Sequence, residues 1–224
     1  MINYDNYIKS INNKSGEAYF KNKWLDKFAK SNTLIKYASE LMIGRDRVDL
    51  LELDSNSYSR IIEVKSNLDS IANLKSQVYS YYRVTEKVIL LIDYDLYMTN
   101  KTFISNLPVT VYSLTSNMLE KEMSCSYIND YLCKKTMLSM LNAKMRKDFV
   151  LFKNAYTYEE VDKMTALEIS NIAKSKWDNL SNIDALQQLN RLLFTYKTYS
   201  VDSFDNYNPD MLLYNLHNLQ SINK

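Results

Sequence analysis

The sequence predicts an α/β protein, with a mixed β-sheet core that is flanked by helices and followed by an all-helical C-terminal extension. Strand-like and helical segments alternate over residues 15–115, which is typical of a sheet with helices packed on it. The run "KVILLI" is continuously apolar, as expected of a strand buried on both faces. From Ser116 onward only helical segments are expected. We therefore expect a core domain over residues 1–115 and a helical extension over residues 116–224.

The first half of the core is predicted to be a helix followed by three strands. The helix over residues 15–30 has an apolar face that includes Phe20 and Trp24. The segments "TLIKYASELMI" and "RVDLLELD" form a hairpin with Gly44 in its turn, and "RIIEVKS" is the third strand.

The second half of the core adds a helix and two strands. The segment "DSIANLKSQVYSYYRVT" places Leu74 and Val78 on one helical face, and Asp69 or Ser70 can cap its start. "EKVILLIDYD" is the buried central strand. "PVTVYSL" is the last strand, with Pro108 at its first residue, where proline is tolerated.

The C-terminal extension has three predicted helices. They are "SYINDYLCKKTMLSMLNAKMRKDFVLF", "TYEEVDKMTALEISNIAKSKWDNL" and "NIDALQQLNRLLFTYKTY". Thr157 and Glu160 have the spacing of a capping box at the start of the second helix. We expect this extension to position a substrate or to join two chains in a homodimer.

The composition excludes several classes of site. A single histidine, His217, rules out a multi-histidine metal cluster and leaves little scope for histidine catalysis. Two glycines cannot form a glycine-rich phosphate loop, and Cys125 and Cys133 lack the spacing of a zinc or redox site. A metal site would therefore use carboxylates and carbonyls, which suit Mg²⁺ or Mn²⁺.

The N-terminal stretch is polar from its start, and the longest apolar run is too short to span a bilayer. We expect no signal peptide, no membrane partner and a soluble, cytoplasmic protein.

The first predicted helix is rich in lysine. Seven lysines lie between residues 9 and 36, against two acids. Lys23, Lys27 and Lys30 share one helical face. Such a face is either a solvated surface or a patch that contacts the phosphates of a nucleic acid.

Glu63 and Lys65 are two charged residues on one face of an otherwise apolar strand. Asp49 precedes Glu63 by 14 residues, which is enough for the rest of one strand, a turn and half of the next. Two adjacent carboxylates repel each other unless a cation lies between them. We therefore expect Asp49, Glu63 and the carbonyl of Val64 to bind Mg²⁺ or Mn²⁺, with Lys65 beside the bound water.

The residues "VD" at 48–49, "EVK" at 63–65 and "QVYSY" at 77–81 resemble the PD-(D/E)xK nuclease superfamily, and in particular its RecB-type branch with a QxxxY helix. The resemblance covers roughly residues 33–115. It implies a restriction-endonuclease-like fold, with the metal held by Asp49 and Glu63 and with Lys65 assisting the hydrolytic water.

The resemblance also implies roles for residues outside the central strands. Gln77 and Tyr81 would support the site or touch a backbone phosphate, and Glu40 would be an additional acid that binds the metal. Val48 stands where the motif has proline. No histidine precedes the motif, which speaks against an exonuclease subgroup.

The expected function is that of a Mg²⁺- or Mn²⁺-dependent deoxyribonuclease. An endonuclease is favoured over an exonuclease, and DNA is favoured over RNA as the expected substrate. Two alternatives stay open. One is a catalytically inactive nuclease-fold protein that binds nucleic acid or another protein, and the other is an RNA-directed nuclease. A bacterial, phage or other mobile-element origin is expected from the resemblance.

Overall fold

A computed structural model describes residues 16–28, 35–54, 58–115, 118–152, 156–196 and 199–200. Its strands are β1 (Ile35–Ile43), β2 (Asp46–Asp54), β3 (Ser59–Lys65), β4 (Lys87–Asp93), β5 (Thr110–Thr115), β6 (Met118–Met123) and β7 (Tyr199–Ser200). Its helices are α1 (Gly16–Phe28), α2 (Leu74–Tyr81), α3 (Tyr94–Ile104), α4 (Lys134–Ser139), α5 (Ala143–Leu151), α6 (Tyr158–Asp162), α7 (Ala166–Asp178) and α8 (Asn182–Tyr196). None of the helices in these ranges is long and apolar enough to cross a bilayer.

The strands form one mixed sheet in the order β6-β5-β4-β3-β2-β1-β7. The first three strands are antiparallel neighbours, joined at β1–β2 by a turn in which Gly44 has a φ of +63°. β3, β4 and β5 run parallel, because α2 and α3 return the chain to the same end of the sheet. The predicted mixed sheet with flanking helices is therefore confirmed.

The sheet separates two apolar cores. The smaller core packs α1 against the sheet through Phe20, Trp24 and Leu25, which meet Ile62 and Leu91. The larger core lies against α2, α3 and the C-terminal helices. Alternate residues of β3 serve the two cores, since Ile61 belongs to the larger and Ile62 to the smaller.

Three sequence predictions need correction. Met118–Met123 is an edge strand within the segment that was expected to be all-helical, and helices begin again only at Lys134. Tyr94–Ile104 is a helix that was not predicted, and Asp93 caps it by accepting bonds from two backbone N–H groups. The helix expected to be capped by Asp69 or Ser70 begins at Leu74 instead, and the Asp69 carboxylate accepts bonds from the N–H and the hydroxyl of Ser66.

The capping box predicted from the sequence is confirmed. The Thr157 side chain accepts a bond from the Glu160 backbone N–H, and the Glu160 carboxylate accepts one from the Thr157 N–H.

Candidate active site

The candidate site lies where β2 and β3 stop pairing. The two strands pair from Leu53 and Ser59 as far as Leu50 and Ile62. The next residues in register, Asp49 and Glu63, are not paired. Instead, the Asp49 side chain takes the place of a backbone acceptor, because its Oδ2 accepts a 2.7 Å hydrogen bond from the Val64 N–H. This bond fixes the Asp49 carboxylate beside the end of β3.

The pairing between β2 and β1 is also interrupted at Asp49. Ser39 pairs with Leu50 and Leu41 pairs with Val48, but no pair forms between Glu40 and Asp49. Glu40 has a φ of +59°, in the left-handed region that few non-glycine residues adopt. Asp49 therefore lies at a break in both of its strand pairings, which lets its side chain leave the regular alternation of the strand.

Glu63 is held by two neighbours. Its Oε2 lies 2.6 Å from the hydroxyl of Tyr81, and its Oε1 lies 2.6 Å from Nζ of Lys65. The Tyr81 hydroxyl is also 2.9 Å from the carbonyl of Arg47. Burial and the charge of Glu63 raise the pKa of Tyr81, so this side chain stays a hydrogen-bond donor. Tyr81 is fully buried, which suits support of Glu63 and not contact with a phosphate.

These groups face a small polar pocket of about 230 Å³. Asp49, Glu63, Val64, Lys65 and Gln77 line it together, as expected for one site. Its remaining walls come from Glu17, Arg45, Asp46, Arg47 and Asp69. Oε1 of Gln77 is buried without a hydrogen-bond partner among the described residues. A buried amide oxygen without a partner is an available ligand or acceptor.

Several charged residues of this region were not assigned to the site from the sequence. Glu17 of α1 lines the pocket, whereas Glu40, the expected additional acid, does not. Lys21 is fully buried and forms ion pairs with both Glu17 and Glu40, and Arg47 pairs with Glu40 at 2.8 Å. Helical spacing could have predicted that Glu17 and Lys21 face the sheet, since residues 17, 21, 24 and 28 lie on one face of α1. Two charged residues on the same stripe as Trp24 indicate a buried polar contact.

Electrostatics disfavour a negative charge on Asp49. Burial and the charge of Glu63 raise the pKa of the Asp49 carboxyl well above its ordinary value, and Glu17 adds to this. Lys21 and the Val64 N–H act in the opposite direction. Burial lowers the pKa of Lys21, but the neighbouring carboxylates outweigh it and the net shift is upward, so Lys21 stays charged.

The pocket fits a hard divalent cation in its ligand chemistry. Its candidate ligands are all oxygens, and two carboxylates that repel each other gain from a shared cation. Each oxygen of Glu63 keeps a free lone pair beside its existing partner. Among the residues that the structure describes, no group of three or more His, Cys, Asp or Glu side chains is arranged to hold a metal. The set would therefore be Asp49 and Glu63, completed by a carbonyl, an amide oxygen or water.

The lysine face of α1 does not line this pocket. Nζ of Lys23 lies 5.6 Å from the ring centre of Tyr19, and Lys27 donates a hydrogen bond to the carbonyl of Leu119. Lys30 lies outside the described residues. The contact of this face with nucleic acid stays a prediction.

The fold and the pocket together define a mixed α/β protein with an acidic, lysine-containing site at the end of a parallel strand. The chain belongs to the family described as bacteriophage P4 protein cII, whose family model matches residues 10–191. No curated protein and no solved structure matches the chain. Membership of a phage family agrees with the expected mobile-element origin.

Proposed function

We propose that this chain is a metal-dependent nuclease that hydrolyses phosphodiester bonds in DNA, with a PD-(D/E)xK-type site in a restriction-endonuclease-like core. The observation that carries the proposal is the convergence of Asp49, Glu63 and Lys65 on one pocket, with Lys65 2.6 Å from Glu63. The enzyme would act in the cytoplasm of the host cell. The C-terminal helices would join two chains in a homodimer.

Asp49 and Glu63 would hold Mg²⁺ or Mn²⁺. Bound there, the ion would lower the pKa of a water and neutralise charge on a phosphoryl oxygen. The Val64 N–H and the Tyr81 hydroxyl keep the two carboxylates in place before substrate arrives, which reduces the reorganisation needed for reaction.

Lys65 would act on the reacting groups directly. Its ammonium lies at the pocket and can donate to the attacking water or to a phosphoryl oxygen as negative charge develops. Arg45 and Arg47 are exposed at the pocket wall and would attract the phosphate backbone. Glu40 would act through Lys21 and Arg47 and not by binding the metal itself.

Cleavage assays test this proposal. Plasmid, linear duplex, single-stranded DNA and RNA would each be incubated with the protein and Mg²⁺ or Mn²⁺, alongside Glu63→Gln and Lys65→Met. We expect wild type to cleave DNA, and we expect EDTA or the Glu63→Gln change to abolish this cleavage. Lys65→Met should slow cleavage by about 10²–10³-fold, which is typical of the loss of one transition-state hydrogen-bond donor.

The matched controls are Glu168→Gln, which keeps a capping acceptor in α7, and Lys163→Met at an exposed site. Both should cleave like wild type. If wild type binds DNA but cleaves none of the substrates, the chain is a binding protein and the proposal fails. If RNA alone is cleaved, the choice of DNA is wrong.

A further inference from the structure

A second pocket, of about 510 Å³, borders the same helix as the acidic pocket. Gln77 of α2 lines the acidic pocket and Tyr79 lines this one. Side chains two positions apart on a helix point to opposite sides, because successive residues are rotated by about 100°. The other walls come from the loop before β5 and from the segment after β6. None of the lining residues that the structure describes is Asp, Glu, Lys, Arg or His, so this pocket is chemically unlike its neighbour.

Three tyrosine rings form the aromatic wall of this pocket. The rings of Tyr79 and Tyr131 meet edge to face at 5.1 Å, and those of Tyr127 and Tyr131 lie 6.4 Å apart at 28°. Tyr131 is 48% exposed, and the other two are half-buried. The pocket therefore has accessible aromatic surface on this wall.

The segment that carries two of these rings is fixed in place although it has no regular secondary structure. The Asn129 amide donates to the carbonyls of Tyr82 and Thr85 at 2.6 and 2.7 Å, and its oxygen accepts from the Tyr131 N–H at 2.8 Å. The ring of Tyr82 packs on Tyr127 at 5.1 Å. The aromatic wall is therefore pre-organised, which lowers the entropy lost on binding.

Polar groups surround the aromatic wall. Ser105, Asn106, Ser124 and Ser126 contribute hydroxyl and amide groups that can bond to the edge of a planar ring. Arg83, one helical turn beyond Tyr79, is exposed, and its guanidinium contacts Sγ of Cys133, two residues after Tyr131. Neutral aromatic walls, polar edges and a nearby cation suit a heteroaromatic ring attached to a phosphate.

The position of the pocket relative to the acidic site also suits a nucleic acid strand. Lys65 of β3 pairs with Ile92 of β4, and Ile92 pairs with Ser113 of β5. Pro108 at the tyrosine pocket lies five residues before Ser113 and two strands away from Lys65, or ~16 Å along the strands and ~10 Å across them. The combined separation of ~19 Å is about five to six phosphate steps of a duplex strand at ~3.4 Å each, and fewer of an extended single strand.

We propose that the tyrosine pocket binds an unpaired base of single-stranded DNA whose backbone runs to the acidic pocket. This inference rests on the proposed function in taking DNA as the substrate. Stacking on tyrosine requires an unpaired base, so the chain should prefer single-stranded DNA, or duplexes with unpaired ends, over blunt duplex.

Binding of a fluorescein-labelled single-stranded oligonucleotide, followed by anisotropy in EDTA, tests the inference without cleavage. We expect Tyr131→Leu to weaken binding by roughly 5- to 100-fold, as for the loss of one stacked base, and Tyr131→Phe to bind within about 2-fold of wild type. Tyr158→Leu, a change at an exposed tyrosine of α6, should leave binding unchanged. Blunt duplex should bind more weakly, and Tyr131→Leu should not affect it.

The inference is overturned if wild type does not bind the single strand, or if Tyr131→Leu binds it as wild type does. A tyrosine-dependent affinity in EDTA from a protein that never cleaves DNA would support the inference and refute the proposed nuclease activity. The two failures are therefore distinguishable.

Discussion

Asp49 is a buried acid whose negative charge is disfavoured in the folded protein. Burial and the charge of Glu63 raise its pKa well above the ordinary value of 3.8. The folded protein therefore keeps a proton on Asp49 at pH values where the unfolded chain has lost it. Because the folded state binds more protons in this interval, its stability falls as the pH rises from about 3.8 through the raised pKa.

Replacing Asp49 with Asn should stabilise the protein at neutral pH in EDTA. The amide removes the charge but keeps an oxygen that can accept from the Val64 N–H. A gain of about 1 kcal/mol would raise Tm by ~2–4 °C in a chain of this size. The gain should shrink as the pH falls and vanish below about 3.8, where both states are protonated.

Thermal melts at several pH values measure this effect, with Asp162→Asn as the control at an exposed acid. A loss of stability at neutral pH, or an equal gain at every pH, would refute the electrostatic account of Asp49.

The sequence predicted half of the residues that line the acidic pocket. Motif order identified Asp49, Glu63, Lys65 and Gln77, and these residues do converge. Glu17 was missed, because its place depends on how α1 crosses the sheet and helical spacing alone gives no partner. Residue spacing determines which face a side chain occupies, but tertiary packing determines what lies opposite it.

Helix α2 contributes two side chains to the candidate site. It carries Tyr81, whose hydroxyl contacts Glu63, and Gln77, which lines the pocket. A ligand that is held by a neighbouring side chain binds metal more tightly than an unsupported one, by about 10–100-fold.

Tyr81→Phe should therefore weaken Mn²⁺ affinity by ~10-fold and lower stability by about 1 kcal/mol. The neighbouring change Tyr82→Phe is a matched control, because it removes a buried hydroxyl that donates to the carbonyl of Pro108, away from the pocket. It should cost similar stability and leave Mn²⁺ affinity unchanged. Equal effects of the two changes on metal affinity would show that the Tyr81 hydroxyl does not support Glu63.

Element predictions failed where the local pattern was weak. β6 has the sequence "MLEKEM", in which only Leu119 is buried, so its alternation was hidden by charges that are common on edge strands. In α3 only Tyr97 and Ile104 are buried, and they are seven residues apart. The long apolar strand β4 was predicted readily, since burial on both faces gives a continuous apolar run.

The whole molecule is built on one sheet with a core that extends into the C-terminal helices. Leu186, Leu189 and Leu192 of α8 belong to the same apolar cluster as Leu51 and Leu53 of β2. A buried polar contact adds to this link, because the Asn190 amide lies 3.2 Å from Oγ of Ser59. The C-terminal helices and the sheet should therefore unfold together.

Leu189→Ala should test this cooperativity. The side chain is fully buried, so its truncation should lower the free energy of unfolding by about 2–5 kcal/mol. Far-ultraviolet circular dichroism and tryptophan fluorescence should report one shared, lower midpoint, since Trp24 packs on the sheet and Trp177 lies in α7. Leu167→Ala at an exposed site of α7 should have little effect. Separate transitions would instead show two independently folding parts.

A divalent cation shared by Asp49 and Glu63 is the centre of the proposed chemistry, and calorimetric titration with Mn²⁺ tests it most directly. Wild type should show a single saturable site. Glu63→Gln and Asp49→Asn should lose it, while Glu168→Gln should keep it. A wild-type protein without saturable Mn²⁺ binding, or a Glu63→Gln variant that binds Mn²⁺ equally well, would contradict the assignment of this pocket as a metal-dependent active site.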